Sequence, residues 1–256
     1  MRILYLANNR VGYQVLSWLK EQGEEVVGLV IHPEGRQKFA REILEAAALP
    51  PDKVYYGTQL NEPDTLRSLR GLRADIALSV FFGYLLRGEI LKLFSHGVIN
   101  LHPAYLPYNR GAYPNIWSIV EGTPVGATLH SVDEGVDTGD IIARKEVSVT
   151  PVDTGETLYR KLEEASVDLF RETWPFIRTG KAPRIPQDES AGTYHLTRDV
   201  ENLDQIDLEA TYRARDLINL LRARTFPPYR GAYFTVGEGR RIYLRLQLIP
   251  EEEMEK

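Results

Sequence analysis

The apolar positions near the start of the chain alternate between strand-like and helix-like spacing. Residues 2–7 and 25–31 are nearly continuous apolar runs, typical of strands covered on both faces. Between them, the apolar residues from Val11 to Leu19 fall on one helical side, and Gly23 ends the helix. This order predicts two parallel strands joined by a right-handed crossover.

The same alternation continues through most of the chain. Further helices are predicted at 37–48, 62–72, 88–94, 114–120 and 157–177. Further strands are predicted at 75–80, 97–101, 128–132 and 141–149. A proline-rich irregular loop is predicted at 102–114. The fold class is therefore predicted to be α/β, with an open, mostly parallel Rossmann-like sheet and helices on both faces.

Prolines and polar residues cluster at 181–192, which indicates a boundary. We expect a catalytic domain over residues 1–182 and a small C-terminal subdomain over residues 193–256. The latter is predicted to hold a helix at about 211–222 and a β-hairpin around Gly237 to Gly239. It is too small for a robust core of its own.

Composition narrows the possible chemistry and location. The 256 residues include no cysteine and five histidines, so histidine is the first candidate for acid–base chemistry near neutral pH. The formal net charge of −5 argues against nucleic acid as a partner. The longest apolar stretch, 77–86, is far too short for a membrane span, and the N-terminus lacks a signal-peptide core. We expect a cytoplasmic protein.

The loop after the first strand, ANNRVG at 7–12, occupies the place where a Rossmann protein binds a pyrophosphate. It has one glycine where the dinucleotide fingerprint needs three, so a nicotinamide cofactor is a weak interpretation. Two interpretations stay open. Asn8, Asn9 and Arg10 either contact another ligand at this strand end or form a surface turn.

A second signal is Asn100 and His102, at the end of a predicted strand. Their spacing puts both side chains on one face of an extended chain. The carboxyl end of a strand in an open α/β sheet is where active sites lie, and Pro103 directs the chain out of the sheet. The alternative is a structural His-Pro pair.

A third signal is the acidic stretch DEGVDTGD at 133–140. Its acids fall at 133, 134, 137 and 140, which does not match the spacing of a calcium-binding EF-hand loop. The stretch is then either a tight functional turn or a solvated acidic turn, and the spacing alone does not dismiss the second.

In combination these motifs resemble the folate-dependent formyltransferase family. The resemblance rests on Asn100-x-His102, the loop LPYNRG at 106–111 and Asp137-Thr138-Gly139-Asp140, and it covers about residues 1–177. The longer string at 101–141 and the segment RARTFPPYRGAY at 222–233 resemble the branch that acts on nucleotide-linked 4-amino-4,6-dideoxyhexoses.

The resemblance implies a reaction and a catalytic trio. A formyl group would pass from 10-formyltetrahydrofolate to the amine of a nucleotide-linked amino sugar, with dTDP-4-amino-4,6-dideoxyglucose as the expected acceptor, for O-antigen or other surface-glycan synthesis. Asn100 would donate to the oxyanion, His102 would accept the amine proton, and Asp137 would hold the imidazole and favour its protonated form. No metal is implied.

The resemblance also implies two sets of binding residues. Those expected to enclose the folate are Phe81, Phe82, Gly83, Tyr84, Leu85, Leu86, Ser131, Val132, Asp133, Glu134, Gly135 and Asp137. Those expected to contact the amino sugar are Asn8, Asn9, Arg10, Tyr105, Pro107, Tyr108, Asn109 and Arg110. His130 is interpreted as a strand residue rather than a pocket neighbour, and His195 as structural.

The sugar branch also implies a homodimer formed through the C-terminal segment. Two alternatives to a sugar enzyme stay open. A methionyl-tRNA formyltransferase needs a surface for a polyanion and a larger C-terminal domain, which the net charge and length do not favour. A non-catalytic folate or nucleotide-sugar-binding module is disfavoured by the intact trio.

Overall fold

The computed structural model describes residues 1–254; the last two residues of the predicted C-terminal subdomain, Glu255 and Lys256, lie outside the described residues. The strands are β1 (Arg2–Ala7), β2 (Glu25–Ile31), β3 (Val54–Tyr56), β4 (Ile76–Val80), β5 (Val98–His102), β6 (Arg110–Gly111), β7 (Gly126–Ser131), β8 (Ile141–Glu146), β9 (Tyr194–His195), β10 (Tyr233–Val236) and β11 (Arg240–Tyr243). The α-helices are α1 (Arg10–Glu21), α2 (Ala40–Ala47), α3 (Pro63–Gly71), α4 (Pro114–Glu121), α5 (Gly155–Arg178), α6 (Thr197–Asp204), α7 (Ala214–Ala223) and α8 (Glu251–Met254).

The main sheet of the described chain has seven strands in the order β3-β2-β1-β4-β5-β7-β8. The five strands from β3 to β5 pair in parallel, and β7 and β8 add antiparallel pairs at one side. The strand order reverses direction between β1 and β4, and open α/β sheets bind ligands at this switch point. The predicted fold class is confirmed, as is the C-terminal hairpin of β10 and β11.

Both faces of the sheet are buried, which explains the continuous apolar runs. In β1, Ile3 and Tyr5 belong to the core cluster that holds α1 and α5, whereas Leu4 and Leu6 belong to the cluster on the other face. The same alternation occurs in β5, where Leu101 belongs to the first of these clusters and the residues directly before and after it do not. Strand side chains alternate between faces, so each strand contributes to both cores.

The structure differs from the predicted elements where tertiary contacts act on the backbone. The helix predicted from residue 37 begins at Ala40, because the Lys38 N–H is held 3.0 Å from the Asn8 side-chain oxygen and Phe39 takes a positive φ of 56°. The short strands β3, β6 and β9 and the helix α6 were not predicted. Their sequences are too short or too polar to show a period.

The C-terminal segment packs on the rest of the chain through a third apolar cluster. Val200 of α6 and Ala223 of α7 meet Ile116 of α4 and Leu158 of α5. The division at 182 and 193 stays a prediction. In the part of the chain that the structure describes, we find no helix with the length and hydropathy of a membrane span.

Two phenylalanines of α5 test this description of the core. Phe170 is buried with its ring 5.5 Å from that of Trp174, whereas Phe176 is 55% exposed on the same helix. We expect Phe170→Ala to lower the free energy of unfolding by about 3–5 kcal/mol, because it empties a packed site. Phe176→Ala should change it by about 0.5 kcal/mol or less. Urea unfolding measures both, and equal effects would contradict the packing.

Candidate active site

A cavity of about 570 Å³ opens at the carboxyl ends of β1, β4 and β5. Its walls come from several parts of the chain, among them the first loop, the loop after β4, the end of β5, the turn after β7, and a segment near residue 195. Its lining includes Asn8, Asn9, His32, Lys38, Ser79, Phe81–Leu86, Asn100–Pro103, Gly111–Asn115, His130, Val132, Asp133, Gly135–Asp137, Tyr159 and Tyr194–Thr197.

Strand β5 aims Asn100 and His102 into this cavity. Ile99 and Leu101, which alternate with them, point to the opposite face and are buried in its core. On the neighbouring antiparallel strand, His130 stands directly opposite Asn100. Directly opposed residues share a face of the sheet, so three polar side chains converge at one point.

Asp137 completes this group from the turn after β7. Its backbone is left-handed, with a φ of 54°, and its carbonyl accepts a hydrogen bond of 2.9 Å from the Gln187 side chain. The Gly111 N–H donates to its Oδ2 at 2.9 Å. Its other oxygen, Oδ1, lies 3.4 Å from Asn100 Nδ2, and Oδ2 lies 3.7 Å from His102 Nε2. The three predicted catalytic residues are therefore brought together.

His130 belongs to the same group, although the sequence interpretation favoured a plain strand residue. Its Nδ1 donates to the Ser131 carbonyl at 2.8 Å, which leaves Nε2 to accept from Asn100 Nδ2 at 3.1 Å. That Nε2 also lies 3.5 Å from Asp137 Oδ1. Only the register of β5 against β7 reveals this role. Within residues 1–254, no group of His, Asp and Glu side chains is arranged to hold a metal ion.

Burial decides the charge of His102. The side chain is buried, and this lowers its pKa below the ordinary histidine value. The carboxylate of Asp137 acts in the expected opposite direction but does not outweigh burial, and His130 lowers the pKa further. The imidazole is therefore neutral near pH 7. Among the described residues, its Nε2 has no hydrogen-bond partner.

Asp137 is ionised in spite of its burial. Burial alone raises the pKa of this carboxyl, but the interactions with His102 and His130 and the Gly111 N–H together hold it well below its usual range. The site thus pairs a neutral base with a fixed negative charge. This arrangement suits proton transfer from a nucleophile that becomes cationic as it attacks.

The predicted folate residues mostly line the cavity. Phe81 and Gly83 have positive φ values of 51° and 77°, so the chain turns sharply after β4 and presents the 81–86 segment to the cavity. Tyr84 places a buried hydroxyl there that has no hydrogen-bond partner among the described residues. Ser131 and Glu134 lie outside the lining. The Ser131 hydroxyl donates to the Asp140 carbonyl at 3.2 Å, and the Glu134 carboxylate accepts from the Gly88 N–H at 3.1 Å.

Two of the predicted sugar contacts, Asn8 and Asn9, line the cavity. Asn9 caps α1 by accepting from the Gly12 N–H at 3.1 Å, and its Nδ2 donates to the Tyr159 hydroxyl at 3.3 Å. Arg10 instead lies in a shallow groove between α1 and α5.

The other predicted sugar contacts, Tyr105, Pro107, Tyr108, Asn109 and Arg110, are not part of the cavity lining. Asn109, for example, is buried and donates to the Thr123 hydroxyl at 2.7 Å. The residues just after this loop, 111–115, form the wall itself.

The segment around His195 forms part of the cavity wall, a role that the sequence interpretation missed. Strand β9 pairs in parallel with β6, and Ala112 N–H donates to the His195 carbonyl at 2.9 Å. The imidazole of His195 stacks on Trp117 with ring centroids 3.9 Å apart, and its Nε2 lies 2.9 Å from a Glu121 oxygen. A contact between residues so distant in sequence leaves no local signal.

Comparison with known proteins identifies the family. Residues 1–173 match the family described as formyl transferase. The chain belongs to the formyltransferase family. Residues 199–250 of this formyltransferase also match the N-formyltransferase dimerization C-terminal domain. The family that the motifs around Asn100, His102 and Asp137 indicate is therefore confirmed.

Solved structures resemble this formyltransferase over most of its length. A 4-N formyltransferase from Francisella tularensis is 28% identical, and the match covers 97% of this chain and 98% of that chain with a TM-score of 0.82. A formyltransferase from Anoxybacillus kamchatkensis, solved with UDP-4,6-dideoxy-4-formamido-L-AltNAc and tetrahydrofolate, is 32% identical over 79% of this chain and 89% of that chain, with a TM-score of 0.57. A sugar N-formyltransferase from Shewanella sp. shares the fold at 22% identity, with a TM-score of 0.81 over 98% of this chain and 99% of that chain.

In this formyltransferase, burial and the charge of Asp137 act in opposite directions on the pKa of His102, and this opposition can be tested. We expect its pKa, read from the ring signals of ¹⁵N-histidine-labelled protein, to lie below the ordinary histidine value. Asp137→Asn removes the one negative charge that opposes burial, so the pKa should fall further. The control Asp64→Asn, an exposed site on α3, should leave it unchanged. A rise in the Asp137→Asn variant would contradict this description.

Proposed function

We propose that this formyltransferase moves the formyl group of 10-formyltetrahydrofolate to the amine of a nucleotide-linked amino sugar. The observation that carries the proposal is the meeting of Asn100, His102 and Asp137 at one cavity, with His102 Nε2 buried and, among the described residues, unpaired. The names of the similar structures, a 4-N formyltransferase and a sugar N-formyltransferase, support the choice of acceptor.

The proposed chemistry begins with attack of the amine nitrogen on the formyl carbon. The tetrahedral species that results carries an oxyanion and an ammonium. Because His102 is neutral, its imidazole can take a proton from the ammonium and then deliver it to N10 of the folate as the carbon–N10 bond breaks. Asp137, ionised beside it, stabilises the imidazolium that exists between these two transfers.

Asn100 is the proposed oxyanion donor. Its Nδ2 carries two hydrogens, which face His130 Nε2 at 3.1 Å and Asp137 Oδ1 at 3.4 Å. The contact with Asp137 is the longer one, so its hydrogen is the one that can turn to an oxyanion while His130 keeps the amide in place. One such donor contributes about 3 kcal/mol to transition-state stabilisation.

The cavity offers complementary surfaces for the two substrates. The 81–86 segment and the turn at 132–137 give the flat, apolar surroundings that suit a pterin, with the Tyr84 hydroxyl as a polar contact. Asn8 and Asn9 line the same cavity and are the proposed contacts for the sugar. The Anoxybacillus protein was solved with tetrahydrofolate and a UDP-linked 4-formamido sugar together, which supports this pair of ligands here.

A more specific proposal concerns the identity of the acceptor, the biosynthetic process and the cellular compartment. The similar 4-N formyltransferase and the 4-formamido sugar of the Anoxybacillus complex support an amine at carbon 4. We propose dTDP-4-amino-4,6-dideoxyglucose, the acceptor that the sequence resemblance implies, in the synthesis of O-antigen or another surface glycan. The proposed compartment is the cytoplasm, and a chain of 256 residues without cysteine suits its reducing conditions.

A homodimer is the proposed assembly. Residues 199–250 match a dimerization domain, and large apolar side chains in this segment remain exposed. They include Leu208, Ile218, Ile242, Tyr243 and Ile249. Burial of such side chains against a second copy would remove them from water.

Turnover tests the reaction. We expect release of tetrahydrofolate from 10-formyltetrahydrofolate with dTDP-4-amino-4,6-dideoxyglucose, and none with methionyl-tRNA. Loss of the base should lower kcat about 10²–10⁴-fold in His102→Ala. Loss of the oxyanion donor should lower kcat about 10²–10³-fold in Asn100→Ala. The exposed His96→Ala is the matched control and should keep full activity.

Two results would contradict the proposal. If the protein formylates no nucleotide-linked amino sugar, the proposed class of acceptor is wrong. If it formylates methionyl-tRNA instead, methionyl-tRNA is the acceptor. Unchanged transfer in His102→Ala or Asn100→Ala would remove the catalytic assignment even if the acceptor is right.

Sedimentation equilibrium tests the assembly. The unaltered protein should show the mass of two chains, and Ile218→Glu combined with Ile242→Glu should reduce it to one, because buried charges destabilise an apolar interface. Leu44→Glu, at a similarly exposed apolar position on α2, should leave the dimer intact. A single-chain mass for the unaltered protein at every concentration would contradict the homodimer.

A further inference from the structure

The residues between the two family matches lie against the loops that carry the catalytic group. The matches cover residues 1–173 and 199–250, so residues 174–198 belong to neither. Within this connection, residues 187–195, which we call the strap, end in β9, and β9 pairs with β6 in the loop that follows β5. The strap is therefore in a position to act on the site.

Gln187 of the strap holds the backbone of the turn that carries Asp137. Its Nε2 donates to the carbonyl of Asp137 at 2.9 Å and to that of Gly139 at 2.7 Å. Its Oε1 is buried and has no hydrogen-bond partner among the described residues. The turn needs such support, because the left-handed φ of 54° at Asp137 is costly for a residue with a side chain.

Thr193 of the strap holds Asn109, on the other side of the catalytic group. The Asn109 N–H donates to the Thr193 hydroxyl at 2.8 Å, and this hydroxyl lies 3.2 Å from Asn109 Oδ1, to which it donates. The Arg110 N–H donates to the Thr193 carbonyl at 3.0 Å. Asn109 is buried, and its backbone is also left-handed, with a φ of 57°. These bonds fix the direction of the Asn109 carbonyl.

The Asn109 carbonyl selects the nitrogen of His102 that carries the proton. It accepts a hydrogen bond from this imidazole, which acts to raise the pKa of His102 against the effect of burial. The donor is Nδ1, because Nε2 has no hydrogen-bond partner within the described part of the chain. A neutral imidazole with its proton on Nδ1 has a free electron pair on Nε2. Nε2 is therefore the atom that accepts the amine proton.

Starting from the proposed function, we infer that Gln187 and Thr193 are positioning residues for the formyl transfer. Gln187 keeps the Asp137 carboxylate beside His102, and Thr193 keeps His102 in the tautomer whose Nε2 accepts a proton. Neither side chain belongs to the cavity lining, so both act through the backbone of other residues. Small displacements matter here, because a shift of about 1 Å in a reacting group costs about 10²-fold in rate.

Gln187→Met tests the link to Asp137. It keeps the length and neutrality of the side chain and removes both donated hydrogen bonds. The carboxylate is then held less closely, so the pKa of His102, read from ¹⁵N ring signals, should fall, because the charge of Asp137 raises it. The acid limb of kcat/KM should move to lower pH with it. We expect kcat to fall about 10–100-fold. Gln22→Met, exposed at the far end of α1, is the matched control and should change none of these.

Thr193→Val tests the link to His102, because valine has the shape of threonine without the hydroxyl. The ¹⁵N shifts of the two ring nitrogens distinguish the tautomers, and neutral His102 in the unaltered protein should carry its proton on Nδ1. Thr193→Val should move part of the population to the Nε2–H tautomer and lower kcat about tenfold, the effect of one lost hydrogen bond. Thr193→Ser, which keeps the hydroxyl, should restore both.

Urea unfolding separates positioning from a loss of folded protein. The inference is wrong if kcat falls only in proportion to the unfolded fraction while the pKa and the tautomer of His102 in the folded protein stay unchanged. It is also wrong if the folded variants keep full kcat. Should either variant fail to fold, Gln187→Asn, whose amide is too short to reach the turn, and Thr193→Ala carry the same measurements.

The inference and the proposed function fail separately. The pKa and the tautomer of His102 are measured without substrates, so they test the strap even if no amino sugar is formylated. If amino sugars are formylated and neither Gln187→Met nor Thr193→Val changes His102 or kcat, the positioning role fails and the function stands.

Discussion

The buried carboxylate of Asp137 is the constraint on which the architecture of the site depends. A carboxylate removed from water is stable only where hydrogen-bond donors or positive charge replace its hydration. Here the Gly111 N–H reaches one oxygen, Asn100 Nδ2 reaches the other, and two imidazoles stand beside them. These partners come from three separate parts of the chain, β5, β6 and β7. The fold must therefore bring all three to the turn that carries Asp137 before the charge can be buried.

Each partner is held by contacts that lie outside the cavity. Gly111 is fixed by the pairing of β6 with β9, and a side chain at this position would collide with the His195 carbonyl. Gln187 donates to the carbonyls of both Asp137 and Gly139 and so closes the turn. Gln187, in the stretch at 181–192 that has the composition of a linker, thus supports the turn that carries Asp137.

The sequence predicted those elements whose own residues show a clear strand or helix periodicity of apolar positions. The strands β1, β2 and β5 are visible as apolar runs, and the spacing of Asn100 and His102 placed them on one face of β5. His130 could not be found this way, because its partner is set by the register between β5 and β7. The wall at 194–197 was missed for the same reason, since its contacts span most of the chain.

The same polar cluster explains how a neutral base and an ionised acid coexist a few ångströms apart. Burial acts against charge on both groups, so it favours the neutral form of His102 and opposes ionisation of Asp137. The difference is that Asp137 has hydrogen-bond donors fixed by the backbone and by Asn100, whereas, among the described residues, His102 Nε2 has no acceptor within hydrogen-bond distance that would hold a proton there. When His102 takes a proton, the nearby carboxylate is already ionised and oriented, so little rearrangement is needed. The base is thus weak at rest and is stabilised only when it has accepted the proton.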